Sequence, residues 1–301
     1  MAVKSKESTT DREIVLSRVF DAPRELVWEV WTDPNHVANW WGPDGFTSTI
    51  HEMDVRPGGK WHLTMHGPDG RDYPNKSIFK EVIKFERIVF SHGGGTKGGP
   101  GANFEATWTF EEQGGKTKVT IRSLFATRAE RDQVVKFYNA IEGGKQTLGR
   151  LADYLPAAPV ILERTFKAPV EKVWKAITDG EQMRQWFIKE MKSFEPTVGF
   201  ETRAVVQCEG KPSKVLILNV TEVTAGKRIG YSWRLEGKPG KSHVTIEMFA
   251  EGAGTRLKLT HTGLESHQPE QYPDLSRTNY LQGWVSLIGE SLKEFLEKGK
   301  D

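Results

Sequence analysis

Three histidines lie close together in the first half of the chain, and histidine is a common metal ligand. They are His51, His62 and His66, and strand alternation places the last two on one face. Two histidines four residues apart on a strand are separated by about 13 Å, too far for one ion unless another element intervenes. The second half of the sequence has no counterpart to them. We therefore expect no metal and no cofactor.

Two other polar residues share a predicted strand face with apolar neighbours. His261 is in phase with Leu257 and Leu259, and Glu81 is in phase with Phe79. An imidazole or carboxyl facing a cavity has a shifted pKa and can orient a ligand or act as an acid or base. The alternative is a hydrogen-bonded residue near a sheet edge. The chain has no Gly-x-Ser-x-Gly nucleophile elbow, and no catalytic residue is assigned.

The composition narrows the class of protein. Ten Trp and fifteen Phe are enough rigid apolar area to fill a core or to line a cavity for an apolar ligand. Lys and Arg number 42 against 40 Asp and Glu, and a net charge of +2 predicts neither a nucleic-acid partner nor attraction to an anionic membrane.

Cellular location is predicted from what the sequence lacks. Cys208 is a single cysteine and cannot form an internal disulfide, and Met1 to Arg12 has no apolar signal-peptide core. No apolar run reaches the roughly 18 residues that a membrane span requires. We expect a soluble cytoplasmic protein without membrane insertion.

The first half of the chain repeats in the second half. Eight residues recur 146 positions later, and the two sets are Phe20, Ala22, Pro23, Val27, Trp28, Thr32, Asp33, Trp40 and Phe166, Ala168, Pro169, Val173, Trp174, Thr178, Asp179, Trp186. Repeats of solenoid proteins are much shorter, about 20 to 50 residues. The sequence therefore predicts two duplicated domains, residues 1–156 and 157–301.

Each half has the same predicted order of elements. One strand is followed by two short helices, six strands and a long helix, from about Ala129 to Tyr154 in the first half and from about Asp274 to Lys298 in the second. This order predicts an α+β fold in which a curved antiparallel sheet wraps around the long C-terminal helix. The gap between sheet and helix is a natural internal cavity.

Several motifs resemble a known group of proteins. They are Phe-x-Ala-Pro-x-x-x-Val-Trp at 20–28 and 166–174, Trp-Trp-Gly-Pro at 40–43, Asp-Val-Arg-Pro-Gly-Gly-Lys-Trp at 54–61, Glu-Val at 81–82, Arg-Ile-Val-Phe at 87–90 and Gly-Trp at 283–284. Together they resemble the START-like, or SRPBCC, superfamily, and within it the group named after the activator of the heat-shock-protein-90 ATPase. The resemblance covers almost the whole chain in two copies.

The resemblance implies a helix-grip fold, also called Bet v 1-like, in each half. It also implies binding of apolar ligands, and some members catalyse cyclisation or hydrolysis in the cavity. The chaperone activator carries a different domain in front of this one, whereas a second copy takes that place here. Chaperone association is therefore an alternative to ligand binding, and a cavity enzyme that uses a pocket Glu or His is a further one.

The two halves differ where the cavity is expected. Gly144 takes the position of Trp284 on the long helix, so the first half should contain a void unless other side chains fill it. If the strand register is preserved, Trp61, Leu63 and Met65 align with Glu201, Arg203 and Val205. One half is therefore predicted to hold a ligand while the other is filled or polar.

The predicted ligand is a small, largely apolar or aromatic molecule. The residues predicted to form its pocket in the first half are Trp61, Phe79, Glu81, Phe90, Trp108, Phe137, Tyr138 and Ile141, and those in the second half are Tyr231, Trp233, His261, Tyr280 and Trp284. Most are expected to supply shape and stacking, while Glu81 and His261 orient the ligand.

Overall fold

The structure is a computed structural model that describes residues 9–208 and 211–298. The chain divides into two compact units between Ala158 and Pro159. Each unit contains one seven-stranded antiparallel sheet and its own hydrophobic core. This architecture confirms the predicted α+β class with two helix-grip domains.

The first unit follows the predicted order. Its elements are β1 (Glu13–Phe20), α1 (Arg24–Thr32), α2 (Pro34–Trp40), β2 (Thr47–Met53), β3 (Lys60–His66), β4 (Asp72–Ile83), β5 (Arg87–Gly94), β6 (Phe104–Gln113), β7 (Lys116–Leu124), α3 (Arg128–Tyr138) and α4 (Ala140–Tyr154). The strand order is β1-β7-β6-β5-β4-β3-β2. Leu148 and Leu151 form the apolar stripe of α4 and pack into one core with the sheet, and Leu155, directly after the helix, joins the same core.

The second unit repeats this arrangement. Its elements are β8 (Val160–Phe166), α5 (Val170–Thr178), α6 (Gly180–Trp186), β9 (Glu190–Met191), β10 (Glu201–Cys208), β11 (Lys211–Thr224), β12 (Arg228–Leu235), β13 (Ser242–Glu251), β14 (Gly254–Thr262), α7 (Arg277–Ser286) and α8 (Leu292–Glu297). The strand order is β8-β14-β13-β12-β11-β10-β9.

The repeated sequence motif supports the same contacts in both units. The Trp40 indole donates a hydrogen bond of 3.1 Å to the Val30 carbonyl, and the Trp186 indole donates one of 2.9 Å to the Ala176 carbonyl. These bonds join the two short helices of each unit. The repeated Trp40 and Trp186 are therefore explained by the fold.

The C-terminal helix of the first unit is broken, whereas the sequence predicted one continuous helix from Ala129 to Tyr154. Asn139 has a left-handed conformation, with φ 50° and ψ 41°, and separates α3 from α4. Asparagine tolerates this conformation better than most residues. The apolar periodicity continues on both sides of the break and did not reveal it.

In the second unit the corresponding helix contains a π-helical turn at Leu287–Ser291. Leu148 corresponds to Ile288, 140 positions later, whereas Leu151 corresponds to Leu292, 141 positions later. A π-turn accommodates one additional residue without ending the helix. The buried stripe therefore continues into α8.

The predicted register of β10 is wrong. Glu201 and Arg203 are exposed, and Thr202 and Ala204 are buried. Thr202 therefore takes the position of Trp61, because this part of the repeat is offset by 141 and not 140 residues. A shift of one residue along a strand reverses which side chains face the core.

Among the helices in the described ranges, none is both long and apolar enough to cross a membrane.

Candidate functional site

The first unit contains a cavity of about 550 Å³ between its sheet and its C-terminal helices. This volume lies in the range of small-molecule sites. The apolar side chains that line it are Ile14, Leu16, Trp41, Pro43, Phe46, Trp61, Leu63, Met65, Phe90, Ala102, Phe104, Ala106, Trp108, Ile121, Phe125, Val134, Phe137 and Ala140.

Aromatic rings form one wall of the cavity. Trp61 lies 4.7 Å from Trp41 and 5.4 Å from Trp108 between ring centroids, and Phe90 lies 4.5 Å from Trp108. All three pairs meet edge to face, the arrangement that aromatic rings favour. The wall is therefore rigid, with faces on which a planar ligand can stack.

A row of polar side chains runs along one side of the cavity. Tyr73, Asn75 and Ser77 alternate on β4 and line it, and His92 lies on the neighbouring strand β5. His92 Nδ1 is 3.0 Å from the Ser77 hydroxyl oxygen, and the imidazole stacks on Phe104 at 4.4 Å. Burial lowers the pKa of His92 to about 4. At neutral pH this imidazole therefore offers hydrogen bonds but no charge.

The glycine-rich segment 95–103 and Arg71 also border the cavity. The Tyr138 hydroxyl donates a hydrogen bond of 2.5 Å to the Pro100 carbonyl, and it accepts one of 3.3 Å from the backbone N–H of Thr96. Tyr138 is the last residue of α3, directly before the break at Asn139. It therefore ties this glycine-rich segment to the joint between α3 and α4.

Five of the eight residues predicted for this pocket line the cavity: Trp61, Phe90, Trp108, Phe137 and Tyr138. Phe79 and Ile141 do not belong to the lining. Phe79 is buried behind Phe90, with 5.9 Å between the ring centroids, and Ile141 is partly exposed on α4.

The predicted placement of Glu81 is wrong. A β-bulge at Lys80 shifts the register of β4, so Glu81 no longer shares the face of Phe79. The Glu81 carboxylate is 42% exposed and accepts a hydrogen bond of 2.5 Å from Arg87 Nε. Because the side chain points away from the cavity, it cannot orient a ligand there.

The same bulge and ion pair occur in the second unit. The register of β11 shifts between Val220 and Glu222, and the Glu222 carboxylate lies 3.0 Å from Arg228 Nε. A pair present in both units belongs to the architecture of the repeated sheet.

Four of the five residues predicted for the second pocket contact one another: Trp233, His261, Tyr280 and Trp284. Trp284 lies 5.2 Å from Trp233, His261 lies 4.9 Å from Tyr280, and Trp233 lies 5.5 Å from His261 between ring centroids. Tyr231 is buried on the same strand as Trp233. The Trp284 ring also stacks on Phe187 at 6.1 Å.

A directed chain of hydrogen bonds runs through these buried side chains. The Trp284 indole donates to His261 Nδ1 at 3.0 Å, so His261 carries its proton on Nε2, which lies 2.7 Å from the Ser242 hydroxyl. Ser242 is 2.9 Å from His267 Nε2, and His267 Nδ1 is 3.1 Å from the Pro239 carbonyl, which only accepts. Every bond in this chain is satisfied when both imidazoles are neutral.

Sheet pairing identifies the equivalent positions in the first unit. His261 pairs with Val160 and Val244, and Ser123 pairs with the corresponding Ile14 and Ala106. In this way His261, Trp284 and Trp233 of the second unit correspond to Ser123, Gly144 and His92 of the first unit. These three residues of the first unit line the cavity. Side chains of the second unit thus occupy the place that is open in the first.

The three clustered histidines have partners other than a metal. His66 Nδ1 lies 2.7 Å from Asp72, His51 Nε2 lies 2.9 Å from the Thr64 hydroxyl, and His62 faces Glu52 at 3.7 Å. Within the described residues no group of three His, Cys, Asp or Glu side chains is arranged to hold a metal ion.

The polar part of the cavity contains none of the residues predicted for the pocket except Tyr138. His92 is in phase with the buried Ile88 and Phe90, so the alternation that singled out His261 also marks His92. Ser77 is likewise in phase with Phe79. Arg71 lies in the turn before β4, where no alternation indicates its direction.

Solved structures similar to this chain mostly match one half of it. The crystal structure of protein Ms6760 from Mycobacterium smegmatis is 25% identical, with a TM-score of 0.45, and the match covers 50% of this chain and 94% of that chain. An NMR structure of a protein from Arthrobacter aurescens is 24% identical, with a TM-score of 0.46, and covers 51% and 92%.

One similar structure spans both halves. The crystal structure of DynU16, described as a putative protein in the dynemicin biosynthetic locus, is 17% identical, with a TM-score of 0.38, and the match covers 95% of this chain and 98% of that chain. No curated protein matches the sequence.

A family model matches the chain twice. The model described as Activator of Hsp90 ATPase homolog 1-like protein matches residues 21–156 and again residues 167–297. The two matches together cover most of the sequence. The chain therefore belongs to the Activator of Hsp90 ATPase homolog 1-like family and carries two copies of its domain.

Proposed function

We propose that the first unit binds a small, largely apolar aromatic molecule in its cavity. The observation that carries this proposal is the cavity of about 550 Å³ with an aromatic wall and a polar row along one side. Small-molecule sites have this composition, mostly apolar with a few placed polar groups.

Each part of the lining has a role in this proposal. Trp61, Trp108 and Phe90 supply flat faces for stacking and burial of apolar area, which provide most of the affinity. The Ser77 and His92 pair supplies hydrogen bonds that orient the ligand. Tyr138 holds the glycine-rich segment at the border of the cavity.

The second unit has a different role in the proposal. Its equivalent interior positions hold Trp284 and His261, whose ring contacts and hydrogen bonds are made within the protein. We therefore expect one ligand per chain, bound in the first unit.

Equilibrium dialysis against 2-naphthoate tests the stoichiometry. Saturation at one molecule per chain supports the proposal, whereas saturation at two would show that both units bind. Native mass spectrometry of the protein purified from its own host would identify a co-purifying compound. Absence of any saturable binding by aromatic compounds of one to three rings would refute the cavity as a ligand site.

Chaperone association is the second candidate function, supported by the family description that matches both halves. Stimulation of the ATPase activity of a purified heat-shock-protein-90 chaperone by the full chain tests it. An unchanged ATPase rate at saturating protein, together with no capture of the chaperone, would exclude this candidate and leave ligand binding unaffected.

A further inference from the structure

We infer that the ligand is an aromatic acid whose carboxylate is held by Arg71 at the edge of the cavity. This inference rests on the proposed function and narrows the class of ligand. Three observations carry it: the charge of the lining, the partners of Arg71, and the direction of the polar row.

Arg71 supplies the net charge of the site. Among the described residues that line the cavity, it is the one with a permanently charged side chain, and the lining includes no Asp, Glu or Lys. His92 adds no charge at neutral pH, because burial keeps it neutral. An anionic ligand gains an attraction to this positive charge that a neutral or cationic ligand does not.

The pair with Asp69 leaves the guanidinium of Arg71 able to bind a ligand. The Asp69 carboxylate lies 3.5 Å from Arg71 Nε, and both side chains are largely exposed, so this ion pair contributes little. The other Asp69 oxygen accepts a hydrogen bond of 3.1 Å from the Arg71 backbone N–H and stabilises the turn. Within the described residues, the terminal Nη groups of Arg71 have no hydrogen-bond acceptor. Guanidinium groups of this kind bind planar carboxylates through two parallel hydrogen bonds.

The polar row leads from Arg71 into the cavity. Tyr73, Asn75 and Ser77 follow it on one face of β4, about 7 Å apart, and the row ends at the Ser77 and His92 pair. The lining beside this row is apolar and aromatic, because Trp61, Leu63 and Met65 on the neighbouring strand β3 pair with Ser77, Asn75 and Tyr73. A ligand that complements both sides has a planar apolar body, one polar edge, and its anionic group at the end nearest Arg71.

A matched pair of probes tests the inference. We expect 2-naphthoate to bind about 5- to 20-fold more tightly than 2-naphthamide, which has the same size but no charge. The substitution Arg71→Gln should reduce the ratio of the two dissociation constants to about one. Arg71→Lys should give an intermediate ratio, since it keeps the charge but loses the planar group that donates two parallel hydrogen bonds.

Arg56→Gln is the matched control. Arg56 is also an exposed arginine paired with an aspartate two residues before it, Asp54, and it is not in the cavity lining. The preference for the acid should persist in this variant. Both variants alter exposed side chains, and circular dichroism should show that both remain folded.

The outcomes separate this inference from the proposed function. If both probes bind with equal affinity, or if the preference persists in Arg71→Gln, the inference is wrong and the cavity remains a ligand site. If neither probe binds, the inference is wrong, and the proposed function fails with it only when no aromatic compound of one to three rings shows saturable binding.

Discussion

The Trp284 indole donates a hydrogen bond of 3.0 Å to Nδ1 of His261 in the interior of the second unit. The equivalent positions of the first unit are Gly144 and Ser123, and both line its cavity. Two copies of one domain thus use the same internal space differently. In the second unit a tryptophan and a histidine fill it and complete a chain of hydrogen bonds. In the first unit a glycine and a serine leave it open.

Replacing Trp284 with Phe should destabilise the second unit. The change removes the donor to His261 Nδ1 and leaves a buried acceptor without a partner, which costs about 1–3 kcal/mol. The free energy of unfolding in urea measures this loss. Trp174→Phe is the control, because the half-buried Trp174 lies outside the hydrogen-bond chain. Equal losses in the two variants would contradict the role assigned to the bond.

His261 should remain neutral well below the ordinary histidine range. Burial, followed by the nearby His267 and His243, lowers its pKa to about 3. Nitrogen-15 NMR of labelled histidine should show Nε2–H and unprotonated Nδ1 for His261 down to about pH 4, with His261→Gln used to assign the signal. A titration midpoint between pH 6 and 7 would contradict the buried chain.

This lowered pKa also sets a direction for stability against pH. Above about pH 6.5 the histidine is neutral in both states, and between 6.5 and about 3 the unfolded chain binds a proton that folded His261 does not. The free energy of unfolding should therefore fall as the pH decreases through this range, by up to about 1.4 kcal/mol per pH unit for this group. Urea unfolding of His261→Gln should show a shallower decrease than the wild type. The same slope in both would contradict the prediction.

Replacing Tyr138 with Phe should loosen the segment 95–103. The variant loses the hydrogen bond to the Pro100 carbonyl and the one from the Thr96 backbone, at a cost of about 0.5–1.5 kcal/mol per bond. Hydrogen exchange of this segment should become faster, and so should dissociation of 2-naphthoate. Tyr272→Phe in the second unit is the control. Unchanged exchange at 95–103 would show that Tyr138 does not hold this segment.

Glu81→Gln should leave ligand binding unchanged. The carboxylate pairs with Arg87 on the exposed side of the bulge, and exposed ion pairs contribute little to stability. Glu222→Gln makes the same change at the corresponding pair of the second unit. Dialysis with 2-naphthoate should give the same dissociation constant for the wild type and both variants. Weaker binding in Glu81→Gln alone would show that Glu81 contributes to the ligand site.

The element order and fold class could be predicted because they depend on apolar periodicity and on the repeated motif. The side of the sheet that a residue faces is harder to predict, because one inserted residue in a strand reverses it. Nothing in the sequence around Lys80 marks its bulge, so Glu81 was placed on the wrong side. Glu201 was assigned to the wrong face for another reason, because the repeat is offset there by 141 and not 140 residues. The break at Asn139 depends on one left-handed residue inside a periodic stretch.

The aromatic part of the site could be predicted, since large rings in phase on neighbouring strands must share a core. Trp61, Phe90 and Trp108 were identified in this way, and all three line the cavity. The polar part depends on which residues face inwards beside a void, and that follows from three-dimensional packing. The alternation along β5 indicates that His92 faces inwards, whereas no sequence pattern indicates the direction of Arg71.

The most direct test of the central claim is to give the first unit the residue that the second unit has. In Gly144→Trp the indole should project into the cavity and occupy part of it. Leu16, whose end lies 2.3 Å from an ideal Cβ at Gly144, must rotate, and the equivalent Leu162 already coexists with Trp284 in one core. Lys145→Trp adds the same side chain at the adjacent exposed position as a control. Equilibrium dialysis with 2-naphthoate should show at least about 10-fold weaker binding in Gly144→Trp and wild-type binding in Lys145→Trp. Undiminished binding in a folded Gly144→Trp protein would contradict the assignment of the ligand to this cavity.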